Sequence, residues 1–247
     1  MVAAVVLAAG RGSRLRPLTD LRPKPLCPVG NVPLLDLALD AAAAVTDAVA
    51  VNACHLAEQV AAHVGDRAHL SLETDVDGGL GTAGALGRLK PWLDGRDVLV
   101  LNGDAYRPGP LDALVDGWDG ERVRLLVVRD PARGDFGEWR FAGASLHPWR
   151  VVAPLPDEPL GLYEAVWRHT EPELVPWDGP FVDCGTVRDY LDANLLASGG
   201  ASVVGAGATV DGELVRSVVW AGGVVRAGER LVDAVRTDTG LTVTAPR

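Results

Sequence analysis

MVAAVVLAAGRGSRLRPLTDLRPKPLCPVG, residues 1–30, decides how the rest of the chain is read. Residues 2–8 form a continuous apolar run rich in Val and Ala, the pattern of a strand buried on both faces of a parallel sheet. The run lacks a basic leader and stops near the lower length limit of a secretory apolar region, so it reads as a first strand and not as a signal sequence. The next segment, GRGSRLRPLTDLRPKP at residues 10–25, holds five of the 23 basic residues of a chain with a net charge of −10. One of the five is Lys24, and the chain has only one other lysine, Lys90. Glycine and cations directly after a buried strand suit an anion cradle. Gly10, Gly12 and Ser13 let backbone N–H groups turn towards the ligand, and Arg14 and Lys24 add discrete charge. Arg16 and Arg22 read more simply as a solvated loop face.

Further strand-like runs occur at residues 48–53, 68–73, 97–101 and 123–128. Segments of helical spacing lie between them: LLDLALDAAAA, HLAEQVAAHV and TAGALGRLKPWL. This alternation predicts a doubly wound, mostly parallel α/β sheet of the Rossmann-like kind, with ligands beyond the carboxyl ends of its strands. Residues 129–159 are crowded with Trp, Pro and Gly and have no clean period, so they read as an irregular lobe over the sheet's open end. Helical spacing returns in LYEAVWRH and in VRDYLDANLLA, the latter capped by Thr186. Beyond it, Val204 and Val210 are six apart, and Val219, Val225 and Leu231 continue at six-residue steps among glycines. That spacing predicts a short left-handed parallel β-helix of hexapeptide turns. The expected division is residues 1–198 for the α/β unit and 199–247 for the repeat.

Composition narrows the function. No apolar stretch reaches the roughly 18 residues of a membrane span. The acidic balance argues against nucleic acid or an anionic membrane as partner, because either needs a basic face. Three unevenly spaced cysteines are too few for a disulfide framework or a zinc site and fit a reducing cytoplasm. Two familiar phosphate motifs are absent from the loop. No lysine follows a glycine as the Walker pattern needs, and Leu15 stands where the dinucleotide fingerprint has its third glycine. In VLVLNGDAY, Asp104 lies just past a buried strand, facing the ligand crevice; in GPFVDCGT, a short apolar run delivers Asp183 ahead of the capped helix.

LAAGRGSRLRPLTDLRPKPLCPVGNVPLL resembles the signature of the sugar-phosphate nucleotidyltransferases, also called NDP-sugar pyrophosphorylases, over nearly thirty residues. The resemblance implies that a nucleoside triphosphate lies against Leu7, Ala9, Gly10, Gly12 and Ser13, that Arg14 steadies the β and γ phosphates, and that Lys24 sits between the attacking phosphate and the α phosphate. It implies a Mg²⁺ ion held by Asp104 and Asp183, with Arg14, Lys24 and Asp104 as the catalytic groups. LGTAGA resembles the family segment that meets base and ribose, through Gly81 and Thr82, in a spelling frequent among guanylyltransferases. FAGASLHP occupies the place of the sugar-facing segment and makes Gly143 the acceptor candidate. Many relatives carry an E-K-P lysine that grips the acceptor phosphate; no lysine follows Lys90 here, leaving Arg140 or Arg168 to replace it.

The expected activity is transfer of a nucleoside monophosphate to a sugar 1-phosphate in the cytoplasm, with GTP and mannose 1-phosphate as the leading pair. Uridylyl or thymidylyl transfer to another hexose 1-phosphate stays open, as does cytidylyl transfer to a phospho-alcohol. A catalytically silent subunit that senses nucleotide sugars is a further alternative. Acyl transfer, which hexapeptide β-helices often host, is disfavoured because no histidine follows His169 to act as base. The repeat instead reads as a capping or homo-oligomerisation element.

Overall fold

Alternation along Val2–Leu7 (β1) builds both sides of the molecule: Ala4 and Val6 enter one apolar cluster, Ala3 and Val5 a second. A strand covered on both faces has no polar side, so its sequence is continuously apolar. The computed structural model describes residues 1–245 and places β1 inside a seven-stranded sheet. The other strands are Val49–Ala53 (β2), His69–Leu72 (β3), Asp97–Asn102 (β4), Arg124–Arg129 (β5), Trp139–His147 (β6) and Glu173–Pro176 (β7), in the order β3-β2-β1-β4-β6-β5-β7. β1 is parallel to β2 and β4, with Val6 beside Val51 and Leu101. Helices Leu34–Ala43 (α1) and Ala57–Val64 (α2) cover the first cluster; Gly81–Leu93 (α3) covers the second.

Residues 129–159 depart from the expected irregular lobe. They contribute the nine-residue β6, antiparallel to both neighbours, β4 and β5. Its pairing with β5 shifts register between Leu125, beside Ser145, and Val127, beside Phe141. Gly143, at φ +75°, lies within that shift. A bulge at a left-handed glycine interrupts the two-residue period that marks a strand in sequence, which is why this one was not legible.

Helix Val187–Ala197 (α4) begins at a reciprocal cap: the Asp189 N–H donates to the Thr186 hydroxyl oxygen, and the Thr186 N–H donates to the Asp189 carboxylate, each at 3.1 Å. After α4, short strands pair in parallel, Val203 beside Val218 beside Val235, Val210 beside Val225, and Leu214 beside Leu231. Val219, Val225 and Leu231 form a buried row, whereas Val204 is 42% exposed and its neighbour Val203 is buried.

The C-terminal segment shares a third apolar cluster with the amino-terminal loop and α4, including Leu15, Leu18, Val29, Tyr190, Val218 and Trp220. The Trp220 indole N–H donates to the Tyr190 oxygen at 3.0 Å, and the Tyr190 hydroxyl donates to the Pro28 carbonyl at 2.5 Å. Arg22 lies over the Trp220 ring at 4.5 Å, so it is not a purely solvated loop residue. Cys27, Cys54 and Cys184 carry free thiols. No helix among the described residues is long and apolar enough to cross a membrane.

Candidate active site

The carboxyl ends of β1, β2 and β4 open on a cavity of about 230 Å³. Leu7, Ala9, Gly10, Gly81, Thr82 and Asp104 line it together, with Asn52, Gly78 and Asn102. Gly12 lies beyond its edge at φ +59°, where an added Cβ would come within 2.9 Å of Thr19 Cγ2 and 3.1 Å of Lys24 Cβ. Glycine at 12 thus lets the loop close over Lys24. Ser13 opens a short exposed turn, Ser13–Leu15, whose anchor is the fully buried Leu15.

Lys24 is only 4% exposed. Its Nζ donates to the Asp183 carbonyl at 2.7 Å and lies 3.0 Å from Asp104 Oδ2 and 3.7 Å from Asp183 Oδ1. Burial pulls the ammonium pKa down, and the carboxylates of Asp104 and Asp183 more than offset this, so it lies above its ordinary value. Backbone pairing explains how residues so distant in sequence meet. Tyr106 and Val182 form an antiparallel bridge with N–H···O distances of 2.8 and 2.9 Å, which brings the turn after β4 against the segment before α4. Arg14 approaches Asp183 Oδ2 at 3.9 Å and Arg140 approaches the same oxygen at 3.4 Å.

Among the described residues no group of three or more His, Cys, Asp or Glu side chains gathers as a ready metal cage. Two carboxylates sharing one lysine form a donor set that suits a hard divalent cation whose remaining positions are taken by phosphate oxygens and water.

A second cavity, about 210 Å³, adjoins the first through Leu7, Thr82 and Asn102. Phe141 and Trp167, with centroids 4.7 Å apart at 54°, form its aromatic wall, and Ser145, Tyr163 and Glu164 also face it. The Thr82 hydroxyl accepts the Leu162 N–H at 2.7 Å and so ties α3 to the turn that closes this cavity. Gly143 is not part of that wall: it faces Asn102, Ala105 and Phe181 and lines a void of only about 10 Å³. Arg168 is exposed and its Nε donates to His169 Nε2 at 2.9 Å, with no ion pair to Asp104 or Asp183 among the described residues.

Sequence reasoning passed over Asn52, Glu73 and Asn102. The Ala8 N–H donates to Asn52 Oδ1, Asn52 Nδ2 donates to Glu73 Oε1, and the Leu80 N–H donates to Glu73 Oε2, each at 2.8 Å. Glu73 is fully buried, and its two oxygens tie the end of β2 to the entry of α3. The available signal was an asparagine in the last two positions of β2 and of β4, at the end of the sheet where ligands sit.

Together these features describe an α/β protein with a cleft at the carboxyl ends of its parallel strands, beside a buried lysine that meets two carboxylates. Residues 3–133, more than half of the chain, match the Nucleotidyl transferase family, and the chain belongs to that family. It is similar to an N-acetylmuramate alpha-1-phosphate uridylyltransferase of Neisseria meningitidis serogroup B, 40% identical over 107 residues that cover 41% of this chain and 46% of that protein. It is also similar to a mannose-1-phosphate guanylyltransferase of Mycobacterium tuberculosis, 33% identical over 138 residues, 53% of this chain and 38% of that protein. The chain therefore spans less than half the length of these relatives. A crystal structure from Thermus thermophilus, described as a mannose-1-phosphate geranyltransferase, superposes with a TM-score of 0.71 at 23% identity. It covers 98% of this chain and 94% of its own, which establishes the fold.

Proposed function

We propose that this chain transfers a nucleoside monophosphate from a nucleoside triphosphate to a sugar 1-phosphate and releases pyrophosphate, with GTP and mannose 1-phosphate as the leading pair. One observation carries the reading: Lys24 is buried between two carboxylates from distant segments, at the rim of a cavity that opens at the strand ends. The base and ribose lie against Gly81 and Thr82, and the triphosphate follows Leu7, Ala9 and Gly10 towards Gly12, Ser13 and Arg14. The acceptor lies in the second cavity, where Phe141 and Trp167 offer flat faces to a sugar ring and Ser145 and Glu164 offer hydrogen bonds. Gly143 serves this site through the bulge that bends β6.

A sugar phosphate is already a nucleophile near neutral pH, so no residue need deprotonate it. Its oxygen attacks the α phosphorus in line, and pyrophosphate departs on the opposite side. Lys24 is held where it neutralises charge on the α phosphate, and Arg14 does the same for the departing group. Mg²⁺ held by Asp104 and Asp183 supplies Lewis-acid neutralisation of the phosphate oxygens when bound. This activity fits a cytoplasmic protein. The paired strands after residue 198 read as turns of a left-handed parallel β-helix, a second unit after the α/β unit of residues 1–198 and a surface for homo-oligomers.

The test is a pyrophosphate-release matrix of nucleoside triphosphates against phosphorylated acceptors, with Mg²⁺. One pair should turn over. Asp104→Ala should lower that rate by roughly 10²-fold or more; full turnover by this variant would remove the site assignment.

A further inference from the structure

Adjacent residues of β6 open onto opposite faces of the sheet. Phe141 turns to the aromatic cavity, whereas Arg140 turns to Asp183 and lies 5.5 Å from the Phe181 ring centroid. On the Arg140 side lies a third cavity of about 350 Å³, lined by Arg14, Arg133, Arg140, Phe181, Asp183 and Thr186 among others. Its charges are unbalanced. Arg14 and Arg140 share one oxygen of Asp183 at 3.9 and 3.4 Å, and Arg140 also reaches Asp130 at 3.7 Å. Arg133 is exposed, and no side-chain hydrogen bond or ion pair is found for it among the described residues. Asp189, which also faces the cavity, is committed to the cap at Thr186. Three guanidinium groups thus face a space in which Asp183 is the acceptor shared by Arg14 and Arg140.

We infer that this cavity receives the departing pyrophosphate, with Arg140 and Arg133 adding to the grip of Arg14. The inference rests on the nucleotidyl-transfer reading above. In an in-line displacement the acceptor's phosphate oxygen forms a bond to the α phosphorus as the bond from that phosphorus to the α,β-bridging oxygen breaks, and the electron pair leaves with pyrophosphate. Attacking and leaving oxygens lie on opposite sides of the phosphorus. β6 stands between the acceptor cavity and the arginine cavity, so the leaving group belongs on the Arg140 side. Guanidinium groups hold phosphate oxygens in pairs, a geometry an ammonium cannot match. Arg140 is therefore a grip on the product and not a substitute for a lysine at the acceptor phosphate.

The test is calorimetric titration of the full chain with inorganic pyrophosphate and Mg²⁺, comparing wild type with Arg140→Ala, Arg140→Lys, Arg133→Ala and, as control, Arg168→Ala. Affinity should fall roughly tenfold for Arg140→Ala and Arg133→Ala, the size of one lost charged hydrogen bond, and stay unchanged for Arg168→Ala. In steady state, pyrophosphate inhibition should weaken by the same factor with the acceptor KM unmoved. Equal affinity across the set, or no binding by wild type, would overturn the inference. A raised acceptor KM with intact pyrophosphate affinity would overturn it too, by assigning the arginines to the acceptor's phosphate. If Arg140→Ala fails to fold, Arg140→Lys keeps charge and stem, loses the fork, and carries the same expectation. Loss of pyrophosphate affinity in the variants of a protein that binds no nucleoside triphosphate would sink the proposed activity and leave this site standing.

Discussion

Gly185 has no side chain, and the Arg14 guanidinium occupies the space one would take: an added Cβ would lie 3.0 Å from Arg14 Nη2 and 3.2 Å from Asp183 Oδ2. Because that neighbour is the free end of a flexible side chain, Gly185→Ala should move Arg14 without unfolding the protein. The expected result is an unchanged melting temperature with turnover lowered roughly tenfold or more; a matching loss of both would make Gly185 a folding residue only. His147 shows a different case, a buried polar group that meets the second cavity only through the Ser145 hydroxyl. It is fully buried, with Nε2 2.9 Å from the Ser145 hydroxyl and Nδ1 without a partner among the described residues. Burial lowers its pKa to about 3. The unfolded chain then takes up the proton first, so the stabilisation is present above pH 6.5 and is lost progressively as pH falls towards 3. Between pH 7 and pH 5 that loss is about 2 kcal/mol. Urea unfolding of His147→Asn, which cannot titrate, should show a pH 7 to pH 5 difference smaller by about that amount.

Helix α3 owes its position to a glycine face. Added Cβ atoms at Gly81, Gly84 and Gly87 would fall 2.7, 2.1 and 1.9 Å from the carbonyls of Leu160, Glu158 and Pro156. The segment 156–160 therefore lies directly on the helix backbone, and the Ala83 N–H donates to the Leu160 carbonyl at 2.9 Å. Since backbone cannot step aside as a side chain can, Gly87→Ala should cost at least about 1–3 kcal/mol in thermal or denaturant unfolding. A neutral outcome would mean that segment 156–160 is loosely held. In the sequence, LGTAGA read as a nucleotide segment, and that reading covers Gly81 and Thr82. Gly84 and Gly87 instead face segment 156–160, a partner some seventy residues away that no local spacing reveals. The strands β1, β2, β4 and β5 were legible because burial on both faces leaves uninterrupted apolar runs. β6 was not, because its bulge and small residues erase the period.

The third apolar cluster joins the two ends of the chain. Leu15 and Leu18, which anchor the loop carrying Arg14, pack with Val218, Trp220 and Val235 from the far terminus. Truncation after residue 198 would strip this cover from the loop, and the shortened chain should lose cooperative unfolding. Trp220→Ala isolates the effect: it removes a 1% exposed indole and its bond to Tyr190, a change of the kind that costs about 3–5 kcal/mol. Calorimetry should show that loss together with weaker nucleotide binding; wild-type nucleotide affinity in the folded variant would mean that the C-terminal segment does not support the loop.

By itself the sequence determined the alternating apolar runs, hence the mostly parallel sheet, and the cluster of glycine and cations at the end of its first strand. These are local properties, written in residue type and spacing. The family resemblance already paired Asp104 with Asp183, but tertiary structure alone decided that both meet on a buried Lys24, through the backbone pair of Tyr106 and Val182. It also decided that Arg140 and Phe141 face different cavities and that the C-terminal segment buries the loop's anchors. Each depends on contacts between residues far apart in the chain, and the geometry of such contacts is fixed only when the whole core closes.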